Sequence, residues 1–180
     1  MALSATVYVF DIELADSDRS VYESFSLRVA RHPSEAEEFL LTRVLAYCLE
    51  WDEGIGFSSG LSTPDEPAIH VRDATGALRA WVDVGVPEAA RLHRASKAAP
   101  RVAVYTHKPP EQLRKALAGG RIHRAEALHL VAVDRALIAR WAQRLERRMK
   151  LAVSVSGGRL YLDLGDETLE GALDPVALAD

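Results

Sequence analysis

The stretch "PDEPAIHVRDATGALRAWVDVG", Pro64 to Gly85, decides how the chain is organised. Two runs rich in alternating apolar residues, about 67–72 and 77–84, flank "DATGA". Asp at the first turn position and Gly at the fourth suit a type I turn closed by a left-handed glycine. The spacing therefore predicts a β-hairpin with Asp73 closing on Ala77. Counted back from that turn, Pro67 falls opposite Asp83, with Asp65 diagonal to it on the same face. Apolar patterning favours a slip of one residue: Ile69 and Val71 match Leu78, Ala80 and Val82 only with Glu66 opposite Asp83. A bulge could reconcile the two. Both registers bring an acid, Asp65 or Glu66, close to Asp83.

Cβ atoms of directly paired residues lie about 5 Å apart, and diagonal ones about 7–8 Å. Two ionised carboxylates at about 5 Å repel by roughly 3 kcal/mol at an effective dielectric of 20. Water, a proton, a basic side chain or a divalent cation must relieve that repulsion. Mg²⁺, with Mn²⁺ as its substitute, suits one or two carboxylates completed by waters and phosphate oxygens. Asp65, Glu66 and Asp83 are the expected metal ligands, with Glu35 or Glu38 adding a further one directly or through water. The helix expected to open at Pro87 carries Arg91, Arg94 and Lys97 at intervals of three, a stripe suited to clamping phosphate. Tyr105, on the next strand, is expected as a wall of the same pocket. Each piece also has a plain structural reading. Glu35 and Glu38 favour a helix dipole, Asp65 and Glu66 make a solvated Pro-bounded turn, and Trp81 is packing.

Outward from the hairpin, "TVYVFDIEL" (5–13) and "SVYESFSLRVA" (20–30) alternate about the turn "ADSDR" and predict an N-terminal hairpin. Ser34 and Glu37 match a capping box, and Leu41, Val44, Leu45 and Cys48 recur at helical spacing. A helix is expected over about 34–51. "EGIGFSSGLS" reads as a loop or irregular edge. Beyond the central hairpin come a helix to about residue 99 with Pro87 at N1, the strand "RVAVYTH", and the helix "PPEQLRKALAGG". The strand "ALHLVAVD" and the helix "RALIARWAQRLERRMK" follow. "LAVSVS" and "RLYLDLG" then form a C-terminal hairpin about Gly157-Gly158. This order predicts a single domain, 1–180, of mixed α/β (α+β) class: a central mixed sheet flanked by helices, parallel in the middle and antiparallel at the ends.

The 180 residues, 48% hydrophobic and 27% charged, suit a globular domain with a sizeable core. No apolar run approaches the roughly 20 residues of a membrane span. The opening "MALSATVYVFDIEL" has no basic segment of a secretory signal, and Cys48 is the only cysteine, so a cytoplasmic location is expected. A net charge of −4 argues against a generic nucleic-acid binder. The charge is uneven, however: residues 88–124 carry nine Lys and Arg against Glu88 and Glu111, and Arg135, Arg140, Arg144, Arg147, Arg148 and Lys150 follow. One basic side could face the phosphates of a nucleic acid, or these are solvated helix faces. Histidines at zinc spacing, P-loops, G-x-S-x-G and G-x-G-x-x-G are absent from the sequence.

The strings "ADSDR" (15–19), "ARHPSE" (30–35), "GLSTPDEPA" (60–68), "WVDVG" followed by Pro87, and "VAVYT" (102–106) resemble the YaeQ family of small bacterial proteins, in order over nearly the whole chain. That resemblance implies a fold like the PD-(D/E)XK nucleases, the restriction-endonuclease-like class with an α-β-β-β-α-β core, here with an N-terminal and a C-terminal hairpin. In that class an Asp after Pro is followed, on the next strand, by an acid, any residue and Lys. Pro64-Asp65 and Asp83-Val84 match, and Gly85 stands where Lys is usual. The resemblance implies metal binding more than catalysis. With the residue pattern above, the expected function is a Mg²⁺-dependent nuclease-like protein acting on a phosphodiester, with Asp65, Asp83, Arg91 and Lys97 as candidate catalytic residues, a base from the helix after Pro87 replacing the missing Lys. Arg is a poor proton acceptor because it stays charged. The alternative is a catalytically inactive binding or regulatory module that keeps the nuclease fold.

Overall fold

A computed structural model describes residues 4–58 and 65–178. Its elements are β1 (Thr6–Asp16), β2 (Val21–Arg31), α1 (Glu37–Leu49), β3 (Ile55–Phe57), β4 (Ile69–Arg72), β5 (Leu78–Val84), α2 (Ala89–Ala98), β6 (Arg101–Thr106), α3 (Pro110–Leu117), β7 (His129–Val133), α4 (Arg135–Gln143), β8 (Arg148–Ser156), β9 (Arg159–Asp163) and β10 (Thr168–Pro175). Among the described residues these strands join one mixed sheet in the order β2-β1-β8-β9-β10-β7-β6-β5-β4-β3. The central run β5, β6 and β7 is parallel, as expected where β6 and β7 are short apolar strands that each come after a helix. β1 is also parallel to β8, so the N-terminal hairpin is welded to the C-terminal one.

β10 joins the two halves of the sheet. Thr168–Ala172 pair with β9, and Leu173–Pro175 pair with β7. One hydrophobic cluster holds Phe10 and Ile12 of β1, Val82 and Val84 of β5, Leu160 of β9, and the buried faces of α1 and α4. Residues from both halves of the sheet thus close on the same two helices. Trp141 of α4, fully buried, meets Phe10 edge-on with ring centroids 6.2 Å apart. A second cluster lies on the other face, where Trp81, Val102 and Val104 pack under Leu92 and Ala95 of α2 and Leu113 of α3.

Local expectations are corrected at several places. The Ser34–Glu37 capping box does not form: α1 begins at Glu37 behind Ala36, and the Ser34 hydroxyl is 2.6 Å from His32 Nδ1 instead. Pro87 is not at N1 of α2, whose cap is Glu88, whereas Pro110 does occupy the first position of α3. The helix expected over "RALIARWAQRLERRMK" stops at Gln143. Met149, Leu151, Val153 and Val155 then alternate inward along β8. Two strands went unpredicted, β3 in the presumed loop and β10 in the acidic tail.

Candidate functional site

The central hairpin forms as its turn dictates. Asp73 N–H donates to Ala77 O at 3.0 Å, Gly76 N–H to Asp73 O at 2.9 Å, and Gly76 has φ of +86°. The register beyond the turn is neither of the two expected. Arg72 pairs with Leu78 but Val71 with Ala80, so Arg79 is an extra residue that shifts the pairing. The bulge moves the strands in the opposite sense to the slip that apolar patterning favoured. Ile69 then faces Val82, and one step on Ala68 N–H reaches Asp83 Oδ1 at 3.4 Å. Glu66 becomes the diagonal neighbour of Asp83. Asp65 is exposed and does not line the cleft, and Pro64 lies outside the described residues.

The cleft has a volume of about 290 Å³ at the end of β5, with Glu66, Asp83, Arg43 and Arg91 among its lining. Asp83 is almost wholly buried and is met by a guanidinium. Arg91 Nε donates to Oδ2 at 2.7 Å and Nη2 to Oδ1 at 3.0 Å, a bidentate pair. Nη2 also donates to Glu66 O at 2.7 Å. The Arg91 guanidinium lies 5.3 Å from the Trp81 ring centroid, so the buried Trp81 face is its platform. The repulsion expected among the acids is thus relieved at Asp83 by a basic side chain. Glu66 differs: its Oε2 is buried and has no hydrogen-bond partner among the described residues.

The other expected site residues are spread more widely. Glu35 is buried and held by Arg43, whose Nε and Nη2 donate to its two oxygens at 3.1 and 3.0 Å. Glu38 is half-buried in the first turn of α1, and neither it nor Glu35 lines the cleft. Arg94 and Lys97 are exposed on α2 and also stand outside the cleft lining. Gly85 has φ of +92°, and a Cβ there would come within 3.0 Å of the Phe39 ring. That backbone disfavours any side chain, lysine included. In the second basic run, Arg140 and Arg144 pair with Glu167, Arg144 with Asp166, and Arg148 with Asp11. Those charges are balanced within the chain. Among the described residues no group of three or more His, Cys, Asp or Glu is placed to hold a metal ion, and no helix is long and apolar enough to cross a membrane.

Tyr105 is not a wall of the Asp83 cleft. On the parallel strands Asp83 is level with Val104, and Tyr105 is level with Val84, so Tyr105 points to the α1 side. There it donates to Glu50 Oε1 at 2.6 Å. Arg101 Nε and Nη2 reach the same carboxylate at 2.9 and 2.7 Å. Sequence reading missed this cluster, because Glu50 stands 51 and 55 residues from its partners. The available signal was Tyr105 itself: a tyrosine in a buried strand needs an acceptor for its hydroxyl.

Burial alone would raise the Glu50 carboxyl, but the Arg101 hydrogen bonds and charge, with the Tyr105 hydroxyl, hold it below its ordinary 4.5. Asp16, at the end of β1, is raised above 3.8 by burial, against the opposing pull of Arg19. The signs of the two linkages differ. Glu50 contributes stability that is present above its unfolded pKa and lost as pH falls through its folded value. Asp16 disfavours folding once ionised, so acidification regains stability there. Glu50→Gln is expected to be less stable than wild type at pH 7, and the gap should close below about pH 4.5 in urea midpoints measured from pH 3 to 7. A gap of constant size across that range would contradict the assignment.

The cleft can be set beside known proteins. The YaeQ protein family profile matches residues 1–173. The uncharacterized protein YaeQ of Salmonella typhi is 30% identical over 175 residues, 94% of either chain, and that of Escherichia coli K12 is 37% identical over 107 residues, 59% of either chain. The crystal structure of YaeQ protein from Pseudomonas syringae superposes with a TM-score of 0.84 at 29% identity, covering 97% of both chains. That from Xanthomonas axonopodis pv. citri gives 0.86 at 28% identity, covering 98% of this chain and all of the other. With its mixed sheet and its hairpins matched nearly end to end, the chain belongs to the YaeQ family.

Proposed function

We propose that the chain is a non-cleaving nucleic-acid-binding module of the restriction-endonuclease-like class, in which Arg91 stands where catalytic members hold a divalent cation. The observation that carries this reading is the bidentate Arg91–Asp83 pair on the Trp81 face. Both Asp83 oxygens accept from one guanidinium, so the Arg91 charge already compensates Asp83 and competes with a Mg²⁺ ion there. Gly85 supports the same reading: its positive φ strains any side chain, and a lysine Cβ there would press on the Phe39 ring at 3.0 Å. Phosphates would be held outside the cleft by Arg94 and Lys97, exposed and three residues apart on α2.

A second reading, Mg²⁺-dependent phosphodiester hydrolysis, is favoured by the unpartnered Glu66 Oε2 in the same cleft as Asp83. It requires Arg91 to give up its bidentate hold on Asp83.

The test combines binding and cleavage. In EDTA the protein is expected to bind duplex or single-stranded nucleic acid with an affinity that falls as salt rises. Arg94→Ala and Lys97→Ala should each lower the log–log salt slope by about 1. With Mg²⁺ or Mn²⁺ added, no strand scission is expected. Scission by wild type that Asp83→Asn abolishes would establish the second reading. Absence of binding to DNA and RNA at low salt would overturn the first.

A further inference from the structure

A second cavity, of about 430 Å³, opens beside the C-terminal end of α1. It is distinct from the Asp83 cleft and shares no lining residue with it. Its apolar wall is made by Leu49, Val131, Val155, Leu173 and Pro175, contributed by α1, β7, β8 and β10. A cavity of this size with an apolar wall and a few convergent polar groups has the form of a small-molecule site.

The polar side of the cavity is largely committed already. Both Glu50 oxygens accept from Arg101, and one also accepts from Tyr105. Arg19 donates to Leu49 O at 2.7 Å and Trp51 O at 2.8 Å, answering the free carbonyls where α1 ends. Asp18 accepts the Gly157 and Gly158 N–H groups at 2.8 and 3.0 Å. Asp16 is the exception. It is only 1% exposed. Its Oδ1 accepts from Arg19 N–H at 3.1 Å, while Oδ2 lies 3.9 Å from Arg19 Nη1, an ion-pair contact beyond hydrogen-bond range. Asp16 Oδ2, part of a nearly buried side chain but reachable from the cavity, thus keeps acceptor capacity toward it.

The charge balance gives the sign of the donor it would take. Asp16, Asp18 and Glu50 set three carboxylates against the guanidiniums of Arg19 and Arg101, leaving one surplus negative charge. Burial, and then the Arg101 charge, keep the His129 imidazole below its ordinary value, so it does not cancel that surplus near neutral pH.

We propose that this cavity binds a small organic cation with an apolar body, its ammonium group donating to Asp16 Oδ2 and its body lying against Val131, Val155 and Leu173. The site is independent of the nucleic-acid reading and involves none of its residues.

The experiment follows amide signals of the full chain by ¹H–¹⁵N NMR during titration with 2-phenylethylamine, and separately with 2-phenylethanol and 3-phenylpropanoate. The amine is expected to give saturable shifts at Asp18, Gly157 and Val131, at least tenfold tighter than either analogue. Asp16→Asn should weaken the amine at least tenfold, and Asp83→Asn should leave it unchanged. His129→Trp, at a strand end on the cavity rim, should block binding and supplies the test if Asp16→Asn fails to fold. Equal binding of the three probes, tighter binding of the carboxylate, amine binding that persists in both cavity variants, or no saturable shift at millimolar amine would each overturn the proposal.

Discussion

Arg43→Leu is expected to destabilise the protein by about 3–5 kcal/mol, the cost of leaving a buried charge without its partner. Both members of the Arg43–Glu35 pair are buried, with side-chain exposures of 8% and 2%. Arg43 also donates to Ala30 O at 2.9 Å and lies 5.4 Å from the Phe57 ring centroid. One guanidinium therefore ties the start of α1 to the end of β2 and to β3. For a chain of this size the loss corresponds to a fall in Tm of roughly 10 °C. The double variant Arg43→Leu/Glu35→Leu should recover most of it, because removing both charges removes the uncompensated one. This outcome separates two roles for Glu35. As a brace it couples strongly to Arg43 in a double-mutant cycle; as a metal ligand it would show weak coupling and a change in cation affinity.

Arg91→Leu should cost about 3 kcal/mol, since it strands Asp83 in a nearly closed site and removes the donor to Glu66 O. Asp83→Asn should cost less, about 1–2 kcal/mol, because an amide still accepts from the guanidinium, through one oxygen. Arg91→Lys is expected to resemble Arg91→Leu more than wild type: an ammonium has no planar fork to bridge Oδ1 and Oδ2 and does not stack on Trp81 in the same way. The check is urea unfolding of the three variants, with hydrogen exchange at Ala68 and Ile69 reporting the entry to β4. Exchange there should accelerate in Arg91→Leu before global unfolding does. An Arg91→Leu protein as stable as wild type would mean that Asp83 has another source of compensation.

Much of the path from sequence to this cleft was legible, and the parts that were not have identifiable physical causes. The "DATGA" turn specified its own geometry because an Asp cap and a left-handed Gly leave few alternatives. The register did not follow, because Arg79 at the bulge carries no local mark: a one-residue insertion is decided by how Ile69 and Val82 bury together, which is tertiary. That single residue turned a choice between Asp65 and Glu66 into Glu66. "RLERRMK" has high helix propensity, yet its C-terminal part becomes strand because pairing of Arg148–Val155 with β1 outweighs a few tenths of a kcal/mol per residue. β10 was hidden by Gly171 and Pro175, which usually interrupt strands. The structure supplies the reason for the glycine, since a Cβ at 171 would lie 2.7 Å from the Asp134 Cβ. The basic stripe on α2 was visible as a stripe, but its first member serves a different partner from the other two. Arg91 faces the sheet and finds Asp83, while Arg94 and Lys97 face water.

The claim that Arg91 takes the place of a cation is tested most directly by anomalous scattering from wild-type crystals soaked in Mn²⁺. The expected map has Arg91 bidentate on Asp83 and no anomalous peak within about 3 Å of either Asp83 oxygen, a limit that generously spans metal–oxygen bonding. A peak bridging Asp83 and Glu66, with the guanidinium displaced, would contradict the account and return the cleft to metal-dependent chemistry.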